Sequence, residues 1–111
     1  MPSYASSKEA FMSLGVGLSS CGEFLRSADA ERKRRPANAS PNAIYDINFA
    51  GFANYADGFL SGTNYSDPIE GGVAEHTDLN GRMAWLENYC RNHPLDTYVK
   101  AVMELRKYLL K

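Results

Sequence analysis

The amino-acid sequence predicts a small all-α protein of four helices with an irregular N-terminal arm. Three observations predict this class. Apolar residues recur at helical spacing in four separate stretches. Helix-capping signals precede these stretches. The chain has 111 residues, of which 44% are hydrophobic and 23% charged, which suits one domain with one core. We therefore expect an arm over residues 1–19 and a single helical domain over residues 20–111.

The first predicted helix runs from Ser20 to about Arg34. Ser20 and Glu23 have the spacing of a capping box, in which each side chain bonds the other's backbone N–H. The basic run at 32–35 is interpreted as a solvated last turn that complements the helix dipole. The alternative is a patch for nucleic acid or anionic lipid. The expected apolar face consists of Cys21, Phe24, Leu25 and Ala28.

The second predicted helix begins with Ser40 as its cap and Pro41 at its first position, where the missing N–H costs nothing. We expect it to end near Ser61. Its bulky apolar residues are Ile44, Ile47, Phe52, Tyr55, Phe59 and Leu60. Three glycines share one face, and we expect Trp85 to pack there: Gly51, Gly58 and Gly62.

A long loop over residues 62–77 separates this helix from the last two. Loops of this length are often functional. Thr77 or Asp78 caps the third predicted helix, which ends near Asn92, and Pro94 opens the fourth, which ends at Leu110. The third helix has a stripe of Leu79, Met83, Leu86 and Cys90. The fourth has Val99, Val102, Met103 and Leu109, joined by Leu95, Leu105 and Leu110.

The chain contains two cysteines, Cys21 and Cys90. In an exported protein they would form one disulfide, and in a cytosolic protein they would be two thiols. Closing a loop of about 69 residues would contribute roughly 4 kcal/mol in the chain-entropy model. An alternative interpretation starts from residues 18–22, Leu-Ser-Ser-Cys-Gly, which resemble a bacterial lipobox.

Composition and motifs exclude several function classes. The formal net charge is -1, which disfavours a nucleic-acid binder. No apolar run approaches the roughly 20 residues of a membrane span. Glu75, His76 and Asp78 lie close in sequence but lack the further ligand that a zinc site needs. Cys90 and His93 alone do not make a catalytic set. We therefore expect no enzyme, no catalytic residue, no metal and no cofactor.

Two segments resemble a known family. The first lies in the C-terminal half and consists of Thr77-Asp78-Leu79 followed by Trp85-Leu86-Glu87-Asn88-Tyr89-Cys90-Arg91-Asn92-His93-Pro94. It resembles the HdeA/HdeB family of periplasmic acid-stress chaperones and is closest to the HdeB branch of that family. Cys21-Gly22-Glu23-Phe24-Leu25 is similar to that family's first cysteine segment. Residues 50–65 look more like uncharacterised exported proteobacterial proteins. The glycine-rich central helix is similar to small type VI secretion immunity proteins.

These resemblances imply a periplasmic or secreted protein whose natural signal peptide has been removed from the chain. The first functional expectation is a chaperone that binds unfolded clients through apolar helix faces in acid. With 12 Lys/Arg and two His, its charge below pH 3 is roughly +14, enough to loosen a homodimer or the helix packing. The alternatives are a module for one protein partner, such as a toxin bound by the long loop, and an exported structural protein. The candidate binding residues are Asn64, Tyr65, Glu75, His76, Trp85 and Tyr89.

Overall fold

The computed structural model describes residues 15–66, 72, 74 and 77–110. It confirms the all-α class: this part of the chain has four α-helices, and its only β-pairing is an isolated bridge between Ser20 and Thr97. A 3₁₀ turn over Gly15–Leu18, the described end of the predicted arm, precedes the helices. They are α1 (Cys21–Arg34), α2 (Ile47–Ser66), α3 (Leu79–Asn92) and α4 (Tyr98–Leu109).

The predicted start of α1 is confirmed, because both bonds of the capping box are present. Ser20 Oγ accepts the N–H of Glu23 at 3.1 Å, and Glu23 Oε1 accepts the N–H of Ser20 at 3.2 Å. Cys21 follows directly and forms a disulfide with Cys90, with the two Cα atoms 4.9 Å apart. The sulfur that a lipobox would modify is therefore bonded to α3. The disulfide joins the first turn of α1 to the last turn of α3, and both cysteines are completely buried.

The centre of the core is a cluster of aromatic rings contributed by α1, α2 and α4. Phe24 of α1 lies 5.3 Å from Phe52 of α2 and 4.8 Å from Tyr98 of α4, measured between ring centroids. The buried hydroxyl of Tyr98 donates to the backbone oxygen of Phe52 at 2.9 Å. Tyr98 therefore joins α4 to α2 by packing and by a hydrogen bond.

The predicted start of α2 was wrong by six residues, because the helix begins at Ile47 and Pro41 lies in a turn. Side chains of α1 bind the backbone that would have formed the earlier turns. Arg35 donates to the carbonyl oxygens of Ala43 and Ser40 at 2.6 and 2.9 Å. Ser40 O also accepts the N–H of Ala43, which closes a turn ahead of the helix. Ile47 is 85% exposed and is not part of the core.

Two further boundaries differ from prediction. Helix α2 continues to Ser66, so Asn64 and Tyr65 are helical and not in a loop. Helix α4 begins at Tyr98 with Thr97 as its cap, and not at Pro94. The cause is the pairing of the segment after Pro94 with the start of α1: Cys21 N–H donates to Asp96 O and Tyr98 N–H donates to Ser19 O. Leu95, predicted for the α4 stripe, lies in the connecting turn and is 96% exposed.

The expected packing of Trp85 against the glycine face of α2 was also wrong. A Cβ built on Gly58 or Gly62 would meet no described atom within 4 Å. Trp85 instead stacks on Tyr89 of its own helix and makes a tilted contact with Tyr108 of α4. The close glycine contact lies elsewhere, since the ring of Tyr55 occupies the space that a side chain at Gly17 would need. The 3₁₀ turn is thereby held against α2.

Candidate functional site

Two predicted binding residues, Trp85 and Tyr89, belong to a row of stacked rings along α3. Positions 85, 89 and 93 are four residues apart, so their side chains are neighbours on one helix face. Ring centroids are 5.7 Å apart for Trp85 and Tyr89 and 4.1 Å apart for Tyr89 and His93. Tyr108 of α4 lies 5.5 Å from Trp85. We call these four residues the aromatic ladder.

The ladder is fixed at its C-terminal end by hydrogen bonds. The Tyr89 hydroxyl donates to Asp96 Oδ2 at 2.6 Å. Desolvation, followed by this bond to a carboxylate, raises the pKa of Tyr89 above its ordinary value of 10.0. His93 caps α3 and places its Nδ1 2.9 Å from the backbone oxygen of Tyr89. Tyr89 is therefore a neutral, oriented ring at physiological pH, suited to contact more than to proton transfer.

The remaining predicted binding residues lie apart from the ladder. Asn64 and Tyr65 occupy the last turn of α2. The Asn64 side chain lies against Gly72, where a Cβ would come 2.9 Å from Asn64 Nδ2. Tyr65 is 90% exposed. Glu75 and His76 lie outside the described residues. The structure thus brings together Trp85 and Tyr89, and places Asn64 and Tyr65 on a different helix.

Sequence analysis missed a second feature, centred on a buried carboxylate near the end of α1. Glu31 is only 4% exposed. Its Oε1 accepts the backbone N–H groups of Tyr45 and Asp46, each at 2.8 Å. Its Oε2 accepts from Arg35 at 2.8 Å. Both oxygens are therefore engaged, and two of the three donors belong to the segment that leads into α2.

Asp46 performs a similar role one step further along the chain. It is 4% exposed, and its Oδ2 accepts the N–H of Phe49 at 3.0 Å, which satisfies a free donor in the first turn of α2. Its Oδ1 lies 3.0 Å from Nε of Arg34. We call Glu31, Asp46, Arg34 and Arg35 the carboxylate joint. It connects the C-terminal turn of α1 to the beginning of α2.

The sequence suggested that the basic run at 32–35 is a solvated turn, but its arginines are bonded to carboxylates. Arg34 and Arg35 belong to the joint. Arg32 pairs with Asp29 at 2.7 Å and with Glu87 of α3 at 2.8 Å. A guanidinium bonded to a carboxylate has fewer donors left for an external phosphate. Three of the four basic side chains in the run are therefore paired with carboxylates, which argues against a patch for nucleic acid or anionic lipid.

A signal for Glu31 was present in the sequence. The buried face of α1 includes Cys21, Phe24 and Ala28, and the next position at the same spacing is 31. A charged residue on the apolar face of a helix is buried only when it is paired. That pattern predicts a buried carboxylate at position 31. It does not predict the partners of this carboxylate, because two of them are backbone N–H groups, which every residue except proline has.

Helix α2 itself is unusually apolar for one that is partly exposed. Asp57 is the only charged residue among its 20. Asp57 Oδ1 lies 3.2 Å from Nε of Arg82, a pair that links α2 to α3. Carboxylates thus connect α2 to its surroundings at its start and near its middle. Its buried face consists of Phe49, Phe52, Ala53, Ala56 and Leu60.

The described residues contain no helix long and apolar enough to cross a membrane. They also contain no cluster of three or more His, Cys, Asp or Glu residues that could hold a metal ion. No family model, curated protein or solved structure matches this chain. The resemblance to the HdeA/HdeB family therefore remains a prediction from the residues quoted above.

Proposed function

We propose that this protein is a non-enzymatic binder of unfolded proteins outside the cytoplasm, activated when low pH releases α2. One observation carries the proposal: buried carboxylates hold the start of an apolar helix, whereas a disulfide holds the helices beneath it. The Cys21–Cys90 disulfide is compatible with an oxidising compartment. Acid protonates carboxylates and leaves a disulfide intact, so it can weaken the first connection without breaking the second.

Protonation weakens the joint at each of its bonds. An ionised carboxylate accepts hydrogen bonds at both oxygens, whereas a protonated one carries a donor on one oxygen. Glu31 faces three donors, namely two backbone N–H groups and Arg35. A proton on either oxygen of Glu31 therefore faces another donor. The remaining hydrogen bonds are also weaker, because the carboxyl group no longer carries a charge. Protonation of Asp46 likewise removes its ion pair with Arg34.

The charged groups around Glu31 come from three elements. Arg35 is on the same helix, and Asp46 with its partner Arg34 lies at the start of α2. Glu87 of α3 lines the same cleft of about 240 Å³ and is itself paired with Arg32. Acid neutralises every carboxylate in this set and leaves every arginine charged. The joint thus changes from a balanced group to a purely cationic one, which favours separation.

The consequence is exposure of two apolar surfaces. The first is the buried face of α2, with Phe49, Phe52 and Leu60. The second is the face of α1 and α4 on which α2 lies, with Phe24 and Tyr98. Apolar burial contributes about 25 cal/mol per Å² of surface. Exposed aromatic surface of this kind binds the apolar segments of unfolding proteins through the same effect.

The energies are of sufficient size for such a switch. Hydrogen bonds to charged groups contribute about 1.5–3 kcal/mol each, and a domain of this size has a total stability of about 5–15 kcal/mol. Loss of the charge-assisted bonds at Glu31 therefore removes a large share of the stability of α2, and loss of the screened pair between Asp46 and Arg34 adds a smaller amount. The disulfide, which contributes roughly 4 kcal/mol through its 69-residue loop, keeps α1 and α3 together.

The proposal is tested by titrating the oxidised protein from pH 7 to pH 2. Light scattering would follow the aggregation of an unrelated acid-unfolded client, and an apolar dye would follow exposed surface. We expect protection of the client only below about pH 4, where carboxylates titrate. Glu31→Gln removes the charge and places an amide donor opposite the Arg35 donor, so we expect its protection to begin at a higher pH than in the wild type.

Glu104→Gln is the matched control for that variant. Glu104 is a surface residue whose hydrogen bonds to Lys107 and Lys100 lower its pKa. A lowered pKa stabilises the fold above the ordinary value of 4.5, and this contribution is lost as the pH falls through the lowered value. Because Glu104 is not part of the joint, its replacement should leave the onset of protection unchanged. Equal shifts in both variants, or no protection at any pH, would contradict the proposal.

A dedicated protein partner at neutral pH is the second candidate function. It is favoured by apolar side chains that are exposed without any acid trigger: Tyr65 at 90% and Leu95 at 96%. Capture of one stoichiometric partner at pH 7, lost in Tyr65→Ala or Leu95→Ser, would support this function. Size-exclusion chromatography at the same pH would identify a homodimer.

A further inference from the structure

We propose that the N-terminal end of the aromatic ladder is a binding site for a small aromatic amine. The ladder places rings at positions 85, 89 and 93, one helical turn apart. The next position in this series is 81, which is a glycine. The series of rings along α3 therefore stops at Trp85 and leaves the space of one ring beside it. This site is distinct from the carboxylate joint, and the inference does not rest on the proposed function.

An open groove of about 570 Å³ lies where the next ring would be. One side is formed by the first turns of α3 and the other by the last turns of α4. Its apolar lining is provided by Trp85, Leu105, Tyr108 and Leu109. The walls thus combine two aromatic rings and two aliphatic side chains, which is the composition of a site for a flat apolar group.

The polar lining determines which charge the ligand carries. Arg82 is 14% exposed in its side chain, with Nε and Nη2 bonded to Asp57 and Nη1 bonded to the carbonyl and hydroxyl oxygens of Thr77. Within the described residues these bonds use four of its five N–H donors, and its charge is paired with Asp57, so it offers little to an anion. Asp78 uses Oδ1 to accept the N–H of Gly81 at 2.7 Å, and within the described residues its Oδ2 accepts no hydrogen bond. The lining therefore offers an acceptor and a negative charge.

The helix dipole does not reverse this preference. The start of α3 carries a partial charge of roughly +0.5, and the Asp78 carboxylate carries a full negative charge at the same place. Trp and Tyr faces are themselves attractive to cations. A ligand with an ammonium group complements both features, whereas a carboxylate would meet Asp78 directly.

Helix geometry fixes the length of the ligand. With a rise of about 1.5 Å per residue, position 81 lies about 6 Å from Trp85 along the axis, and Asp78 about 4.5 Å further. The first value is close to the 5.7 Å between Trp85 and Tyr89. A ring level with Gly81 therefore continues the ladder, and an amine two or three bonds from that ring reaches Asp78 Oδ2. Phenylethylamine has this length.

The test uses the full chain at pH 7 and the fluorescence of Trp85, which is the only tryptophan in the sequence. Phenylethylamine does not absorb at the red edge of tryptophan absorption, so the signal comes from the protein alone. We expect a saturable change with a dissociation constant on the order of 0.5 mM, typical of a ligand of this size. Phenylacetate, which has the same ring and an opposite charge, should bind at least about tenfold more weakly.

Asp78→Asn is the sharpest variant, because asparagine caps a helix as well as aspartate, while the charge is removed and an amide donor replaces Oδ2. We expect about fivefold weaker binding of phenylethylamine and little change for phenylacetate. Tyr65→Ala, which removes a 90% exposed ring on another helix, is the control and should bind like the wild type. Equal affinities for the two ligands, an unchanged affinity in Asp78→Asn, or no saturation at about ten times the expected constant would overturn the proposal.

Discussion

Helix α1 is attached to its two neighbours by different means. At its N-terminal end, a disulfide from Cys21 to Cys90 and fully buried side chains attach it to α3. At its C-terminal end, the carboxylate joint attaches it to the start of α2, through Glu31 and Asp46. The first connection is a covalent bond that reduction breaks. The second consists of hydrogen bonds and an ion pair to carboxylates, and we propose that acid weakens it.

In the proposed function, this difference lets a small helical protein stay folded and still open at one place. A disulfide acts mainly by restricting the unfolded chain, so its contribution does not depend on the ionisation of nearby groups. A buried carboxylate stabilises most when all of its hydrogen bonds are made, and it destabilises when a partner is lost. On this basis we propose that α1, α3 and α4 stay together in acid while α2 is released.

The largest expected effect comes from removing the disulfide. The double variant Cys21→Ala/Cys90→Ala should lose about 4 kcal/mol of unfolding free energy, the value of a loop of this length. Urea unfolding at pH 7 measures it, with reduced wild-type protein as the control. The loss should be the same at pH 5, since the disulfide carries no charge. A loss below about 1 kcal/mol would mean that packing alone holds α1 against α3.

The second largest effect is expected at the joint. Glu31→Gln should lower the unfolding free energy by about 2 kcal/mol, because its amide oxygen can keep the N–H groups of Tyr45 and Asp46 only if its NH2 group faces Arg35, which is also a donor. Hydrogen exchange would locate the loss. We expect faster exchange in the first turns of α2 and unchanged exchange in α3. A uniform increase along the whole chain would show that α2 does not open separately, and would remove the distinction between the two regions.

The two regions also differ in how far the sequence predicts them. The seam between α1 and α3 follows from local signals: the capping box of Ser20 and Glu23, the count of two cysteines, and the cap at Asp78 are all visible in the sequence and confirmed. The joint depends on a carboxylate that binds backbone N–H groups 14 and 15 residues away. Any residue supplies such groups, so no residue type marks them.

The same reason accounts for the helix boundaries that were wrong. Pro41 and Pro94 are good first residues for a helix, and local propensity alone favours a start at each. Residues outside the predicted helices bind the backbone at both places, with a bond from Arg35 to Ser40 O in one case and from Cys21 N–H to Asp96 O in the other. The start at Pro94 also placed Leu95 in the α4 stripe. A separate error, the predicted end of α2 near Ser61, placed Asn64 and Tyr65 in a loop. Of the ladder, only Trp85 and Tyr89 were predicted, and the contact with Tyr108 depends on how α4 packs against α3.

Alkali should affect the core and spare the joint, which is the reverse of acid. Burial, then the negative charge of Asp57 and the neighbouring Tyr55, raises the pKa of Tyr98 well above 10.0. Below pH 10 both folded and unfolded Tyr98 are protonated and the stabilisation is complete. Above it the unfolded state loses its proton first, so stability falls by up to about 1.4 kcal/mol per pH unit until the folded pKa is reached.

Urea unfolding between about pH 8 and pH 11 measures this decline. Tyr98→Phe is the matching variant. It loses the bond to Phe52 O and about 1 kcal/mol at pH 8, but its stability should decline less steeply above pH 10. An equally steep decline in the variant would assign the alkaline loss to other groups, such as Tyr89, whose pKa is also raised.

The smallest effect is expected inside the joint, from Asp46→Asn. Asparagine keeps the oxygen that accepts the N–H of Phe49, so the cap of α2 remains. Only the ion pair with Arg34 is lost, and because the Arg34 side chain is 64% exposed, solvent screens the pair. We expect a loss of about 0.5 kcal/mol that shrinks further in about 1 M salt, where the Debye length falls to roughly 3 Å.

The comparison with Glu31→Gln divides the joint into two parts. If Asp46→Asn costs as little as expected, then α2 is held by the geometry of the cap at Asp46 and by the charge at Glu31. The double variant Arg34→Gln/Asp46→Asn should then lose slightly less unfolding free energy than the two single variants together. The difference is the coupling energy of the ion pair, which we expect to be small. A loss as large as that of Glu31→Gln would instead make the buried charge of Asp46 an equal contributor. Acid would then release α2 in two coupled steps, with neither carboxylate acting as the single trigger.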